Sequence, residues 1–257
     1  MSIDSIKRML LGKYGYQPTI CYYYYLWNVV DYCGEKRVRE SFASIKGQGD
    51  EIIVGDYCST DDTAKIAREY GFKVVTVEKD DRFLFAESKV RNKVISEAKS
   101  NFVVGLNINV EYPANLTDFI KSFLKNSRIN RDILFLRTKF EDINGNKNRY
   151  YGFSAVIYRP YLLYARGYNQ ITTYGAGSQK YGIMLMKNIY NLRVVPYTLG
   201  MYHKYHNHMK LPKVREIYPS VTYGQLRRKA KKVVGLLRIE MENNLNKGIK
   251  NVENDYW

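Results

Sequence analysis

The chain has 257 residues, 45% of them hydrophobic, with 41 Lys and Arg against 25 Asp and Glu, a formal net charge of +16. This length suits one sizeable domain, or one domain with an appendage, and the apolar content excludes a disordered chain. No run of apolar residues is long enough to span a membrane, and the start, MSIDSIKRMLLGKYGYQPT, lacks the long apolar stretch and cleavage site of a secretory signal. Cys21, Cys33 and Cys58 are odd in number and lack metal-ligand spacing, which points to a reduced, cytoplasmic setting. The charge calls for anionic company: nucleic acid, an acidic membrane surface or a phosphate-bearing substrate. Residues 204–250 hold twelve Lys and Arg against three Glu, so more than half of the excess lies in the last fifth of the chain.

Taken in order, the first 150 residues alternate strand and helix. Residues 19–26 (TICYYYYL), β-branched and aromatic after Pro18, predict a strand. Residues 35–46 put Val38, Phe42 and Ile45 on one helical face and stop at Gly47. EIIVGD reads as a short buried strand, followed by a Ser/Thr/Asp turn and a helix over 61–70 that stops at Gly71. A strand over 72–78, a helix over 86–99, a strand over 102–108 and a helix over 116–125 complete the series. This order predicts an α/β fold with a mostly parallel sheet flanked by helices, and ligands at the carboxyl ends of the strands. After residue 130, RDILFLRTKFED and YYGFSAVIYR predict longer strands joined through a turn at Asn144-Gly145. A Gly-rich stretch over 174–182, a helix, a strand (LRVVPYTL) and a histidine cluster follow. We divide the chain into a domain over 1–212 and a basic helical extension over 213–257. In that extension Leu226, Ala230, Val233, Leu237 and Met241 form one stripe, with Arg227, Arg228, Lys231 and Lys232 beside or opposite it. The stripe either packs on the domain or a second subunit, or faces an anionic membrane surface.

The segment EIIVGDYCSTDDTAKIAREYGFKVV resembles the family 2 glycosyltransferases of the GT-A fold, through Asp56, Ser59, Thr60, Asp61 and Thr63. Tyr57 and Cys58 stand where that family more often has Asp and Gly. KVRNKVISEAKSNFVVGLNINVEYP resembles the family's Arg-Asn helix leading into its Asp-x-Asp strand, and RESFASIKGQ the helix before its second strand. The likeness is good over about 19–113 and loose to about 208. It implies a nucleotide-sugar donor, a UDP-sugar foremost, and a glycan, lipid-linked or protein acceptor. Asp56 then meets the imide N–H of a pyrimidine, which an acceptor-only carboxylate suits, or it merely caps the turn. Asp61 is assigned to capping. Arg91 faces the diphosphate and Asn92 the site floor, or both lie on a solvated helix face.

The departures fall on the chemistry. Asn107-Ile108-Asn109 replaces Asp-x-Asp, so a divalent cation, Mn²⁺ or Mg²⁺, would meet neutral oxygens and bind weakly. Glu111, two residues on, either adds a carboxylate on the same strand face as Asn109 or is a loop residue before Pro113. Gln179-Lys180 occupies the family's catalytic Glu-Asp position, leaving Lys180 either as a cation near the leaving phosphates or as a surface lysine. All three histidines, His203, His206 and His208, cluster after the last core strand. His203 is the candidate for the donor or metal site with Asn109, and a zinc site would want a fourth ligand that the neighbourhood does not offer. Glu141 and Asp142 are candidates for a base, a role left open. The leading expectation is an inverting glycosyltransferase with weak or no metal dependence. The second is a degenerate GT-A domain that binds nucleotide or glycan without turnover. Nucleic-acid binding rests on charge and tyrosines alone, with no recognised motif.

Overall fold

A computed structural model of the chain describes residues 3–80, 85–126, 131–140, 149–168, 176–203 and 223–246. Its elements are α1 (Ile3–Tyr14), β1 (Ile20–Leu26), α2 (Val29–Cys33), α3 (Glu35–Ile45), β2 (Glu51–Asp56), α4 (Thr63–Glu69), β3 (Lys73–Thr76), α5 (Glu87–Glu97) and β4 (Phe102–Gly105). There follow β5 (Val110–Glu111), α6 (Leu116–Asn126), β6 (Asp132–Phe140), β7 (Arg149–Tyr158), α7 (Arg159–Tyr164), α8 (Ala176–Asn188), β8 (Arg193–His203) and α9 (Tyr223–Asn246). One sheet runs β3-β2-β1-β4-β7-β6-β8-β5. The first four strands in this order are mutually parallel, their crossovers carried by helices. β7 then runs antiparallel to both β4 and β6, and β8 returns parallel to β6.

The tyrosine run of β1 is buried because helices cover both faces of the sheet. Alternation sends Tyr22 and Tyr24 to one face, where their hydroxyls lie 3.1 Å from Thr117 Oγ1 and Ser41 Oγ. Tyr23 and Tyr25 go to the other face, under α5. Partnered phenols allow this strand to be aromatic and buried together.

Several expectations are corrected by local hydrogen bonding. The strand expected over 102–108 ends at Gly105, because Asn107 turns the chain. Its side-chain oxygen accepts the Asn109 N–H at 3.2 Å and its carbonyl accepts the Val110 N–H at 3.2 Å, an Asn-driven turn competing with the strand ladder. Val110 and Glu111 therefore form the separate strand β5, and the shared-face argument for Glu111 and Asn109 fails. The Gly-rich stretch expected as a loop over 174–182 is helical from Ala176. Helix α1 buries Ile3, Ile6 and Leu10 and was not anticipated. The Asn144-Gly145 turn lies outside the described residues, although β6 and β7 do pair antiparallel as it requires.

The apolar stripe of α9 faces the body of the protein. Val234, Leu237 and Met241 are buried and the helix packs along α8, with Arg166 pairing to Glu240 at 2.6 Å. Of the stripe, Leu237 and Met241 are thus packed on the domain and Val233 is partly buried, as an apolar face beside a core favours, whereas the side chains of Leu226 and Ala230 lie outside the described residues.

Gly55 sets the seat of α5 on β2, one residue before the strand end. A Cβ there would lie 2.5 Å from Val90 Cγ1 and 2.6 Å from Val94 Cγ2. Gly55→Ala is therefore expected to destabilise by about 1–3 kcal/mol through overpacking. Gly12→Ala, where a Cβ meets nothing within 4 Å on a helix, should stabilise by about 0.5–1 kcal/mol. Urea midpoints of the two variants check both signs.

Candidate functional site

Motif residues after β1 and β2 lock two strand-end loops together. Ser59 Oγ accepts the Asn28 N–H at 2.9 Å, and Thr60 N–H donates to Asn28 Oδ1 at 2.8 Å. Thr63 Oγ1 accepts the Val29 N–H at 3.0 Å. Asp61 accepts from the Thr63 and Asp31 amides at 2.9 and 3.0 Å, which makes it a cap for two helix starts, as its sequence context suggested. Asn28 and Cys58 both sit at positive φ, 45° and 46°. Cys58 thus occupies a left-handed position that glycine fills without strain, at a cost of about 1–2 kcal/mol.

Asp56 ends β2 opposite Leu26 and Thr76, only 3% exposed. Its Oδ2 accepts the Ser59 N–H at 3.2 Å, whereas Oδ1 is buried with no partner. Burial raises its pKa, with the Ser59 hydrogen bonds opposing. A buried acceptor without a donor is costly, and it is a feature that a ligand N–H would satisfy.

Next to it stands an aromatic residue that sequence reading passed over. Trp27 lies one residue beyond the Leu26–Asp56 pairing, half-buried, stacked on Phe85 at 6.3 Å with ring planes 19° apart. Its indole N–H is buried and unpartnered. Tyr57, Val77, Ala86 and Val90 complete a small apolar cluster around these rings. Strand alternation through Tyr23, Tyr25 and Trp27 was the available signal.

Arg91 and Asn92 do not lie on a solvated face; both are buried. Arg91 Nε–H donates to Glu87 Oε1 at 2.8 Å and Nη1 to the Tyr23 hydroxyl at 3.0 Å. Its guanidinium carbon sits 3.6 Å from the centre of the Tyr25 ring and 5.4 Å from that of Tyr168. So engaged, the guanidinium supports the strand ends from beneath, with Nη2 2.8 Å from Glu87 Oε1 but without a hydrogen bond of its own. Gly105 is the consequence, since a Cβ there would meet Arg91 Nη1 at 2.8 Å. Asn92 clamps the Tyr168 backbone from both sides, accepting its N–H at 2.7 Å and donating to its carbonyl at 2.8 Å. The Tyr168 ring in turn leaves no room for a side chain at Gly182 of α8, where a Cβ would lie 2.9 Å away. The Arg-Asn motif thereby ties α5 to the helix that carries Lys180.

Asn107 and Asn109 follow β4. Asn109 is buried, and its Oδ1 accepts the Cys33 thiol at 2.9 Å. Burial pushes the Cys33 pKa up to about 12, so it remains a thiol and a donor at neutral pH. Tyr112 closes the turn, its hydroxyl accepting the Asn107 N–H and donating to the Asn107 carbonyl. Glu111 lies 3.9 Å from Arg37. The pairing of Val110 with His203 sets the His203 backbone beside Asn109, which brings together two positions assigned to one site. The side chains of Lys180 and His203 lie outside the described residues, as do Glu141, Asp142, His206 and His208. For Mg²⁺ or Mn²⁺ the described donors are a poor fit: two neutral carboxamides, each oxygen already accepting one hydrogen bond, and a protonated thiol. Among the described residues no cluster of three His, Cys, Asp or Glu could hold a metal.

The raised pKa of Asp56 gives a stability prediction. An acid whose folded pKa is raised supports the fold most when protonated, and that support is lost as pH rises through the folded value. Asp56→Asn, neutral at every pH, is expected to stabilise the ligand-free protein at neutral pH. The gain should shrink as pH falls and wild-type Asp56 takes up its proton. Chemical unfolding of both proteins across that range measures it.

A sequence profile for glycosyl transferase family 2 matches residues 28–184, more than half of the chain. Among solved structures, a 1–349 fragment of S. aureus TarS in complex with UDP-GlcNAc superposes with a TM-score of 0.58 at 15% identity. The alignment covers 85% of this chain and 66% of that one, so the chain spans about two thirds of the TarS fragment. Glucosyl-3-phosphoglycerate synthase from Mycobacterium tuberculosis, in complex with Mn²⁺, UDP and glucosyl-3-phosphoglycerate, gives 0.53 at 14% identity, covering 92% and 84%. A mycobacterial protein gives 0.57 at 16% identity, covering 88% and 76%. No curated protein sequence matches. The profile match and the shared sheet agree with the geometry: the chain belongs to glycosyltransferase family 2 and has the GT-A fold.

Proposed function

We propose that the chain transfers a sugar from a UDP-sugar to an acceptor hydroxyl, with Asp56 and Trp27 holding the uracil. The unpartnered, buried Oδ1 of Asp56 carries this reading. It lies at the carboxyl end of a central parallel strand, where α/β sheets bind ligands. Uracil offers an imide N–H to an acceptor-only carboxylate, whereas cytosine has no such N–H. Trp27 supplies a stacking face just past the end of β1, and its indole N–H a donor. UDP in the TarS and synthase complexes supports the same donor class.

The diphosphate end is read from what is missing as much as from what is present. Arg91 is committed to Glu87 and the tyrosines. Asn107 and Asn109 offer hydrogen bonds, suited to ribose hydroxyls more than to a cation. We assign the neutralising charge to Lys180, which replaces a family carboxylate on α8, and place His203 beside Asn109 at the same end of the sheet. Transfer would invert the anomeric centre by in-line attack, with little dependence on divalent metal and with the base outside the residues assigned. The Asn pair equally suits a domain that retains donor binding and has lost turnover, so binding and turnover are tested separately. The setting is assigned as cytoplasmic, where the three cysteines remain free thiols.

Calorimetric titration with UDP and CDP tests the base site. Wild type should bind UDP at least tenfold more tightly than CDP, about 1.4 kcal/mol. Asp56→Asn and Trp27→Ala should each weaken UDP by about 1–3 kcal/mol in folded protein. Unchanged affinity in both variants removes the assignment.

The Asn pair yields a separate expectation. Asn107→Asp with Asn109→Asp should raise Mn²⁺ affinity in the presence of UDP by at least about tenfold, since anionic oxygens replace neutral ones. Tight Mn²⁺ binding by the native chain at this strand end would show the neutral pair to be misread.

A further inference from the structure

With its apolar stripe packed on α8, helix α9 turns a different face outward. Arg228, Lys231, Lys232, Gly235, Leu236 and Ile239 are all exposed on it. Leu236 and Ile239, at 57% and 55%, are the most exposed large apolar side chains among the described residues. They stand one turn beyond the lysines on the same side of the helix. A Cβ added at Gly235, between them, would meet nothing within 4 Å, so the backbone there can approach a flat surface closely. The helix is held firmly enough to present this face. Arg238 Nη1 donates to the Asn188 carbonyl at 3.0 Å, and Glu240 is turned to Arg166. Glu242 is the one acidic position that helical periodicity puts on the outer side.

We propose that this outer face, and not the apolar stripe, docks the protein on an anionic lipid surface. Cationic side chains then meet the headgroups while Leu236 and Ile239 enter the boundary with the acyl chains, the division of labour of an interfacial helix. Charge complementarity selects this occupant. A second copy of the chain would set the same cations against each other, and a soluble polyanion would leave the two apolar side chains in water. Each basic residue near such a surface strengthens partition by about fivefold. The inference does not depend on the donor site, and its test requires no turnover.

Full-length protein is sedimented with phosphatidylcholine vesicles, with and without phosphatidylglycerol, at low and high salt. Binding is expected only with phosphatidylglycerol and should fall as salt rises. The Arg228→Glu, Lys231→Glu, Lys232→Glu triple variant should bind at least about a hundredfold more weakly. Leu236→Ser with Ile239→Ser should bind at least about tenfold more weakly while keeping all charges. Both variants change exposed residues, and unaltered UDP titrations and unfolding midpoints show that each is folded. Absent binding, or binding indifferent to the triple variant, overturns the proposal. So does a serine double variant that binds as wild type, which would mean charge alone at work, or a dimer in sedimentation velocity that this variant dissolves.

Discussion

A single buried cation organises the donor end of the sheet. The Arg91 guanidinium is held by Glu87 and packed against Tyr23, Tyr25 and Tyr168. Removing a charge from water is expensive, and only this enclosure of carboxylate, hydroxyl and ring faces compensates it. The requirement propagates outward. Gly105 must lack a side chain, Tyr23 and Tyr25 must point beneath α5, and Asn92 must hold Tyr168, 76 positions further along the chain, in place. What sits above, the ends of β1, β2 and β4, inherits that rigidity, which a binding site needs from its supporting residues.

Above this foundation the family motif acts mainly as architecture. Ser59, Thr60, Asp61 and Thr63 spend their side chains on the amides of the turn after β1 and on helix starts, leaving Asp56 as the member with an unused oxygen. The contrast separates residues that shape the loops from the one carboxylate left half-satisfied. Unmet demands also gather within one loop pair: a buried carboxylate half-satisfied, a left-handed Cys58, and an unpartnered indole N–H. Across the sheet, Asn109 accepts from a protonated Cys33, so the chain after β4 is a neutral hydrogen-bonded turn.

Local periodicity carried most of the fold. β1, β2, α3 and α6 are found within a residue or two of their expected positions because their apolar spacing and Gly or Pro boundaries are local. The short turn at Asn107 was not legible, since an Asn side chain competing with the strand ladder leaves apolar alternation undisturbed. Helix α1 was legible in Ile3, Ile6 and Leu10, but those residues were weighed only as a leader. Of the candidate site, the place of Asp56 was legible, since it follows from β2 alone. It was illegible at Arg91, whose burial depends on Tyr168 far along the chain, and at α9, where only tertiary packing decides which of two faces meets water.

The proposed donor site holds a UDP-sugar through Asp56 and reacts it without a carboxylate-bound metal. The most direct measurement is release of UDP from a panel of UDP-sugars, run in parallel with Mn²⁺ and with a chelator. The account predicts release from at least one sugar at a rate that the chelator leaves unchanged. Release abolished by the chelator and restored by Mn²⁺ would contradict it.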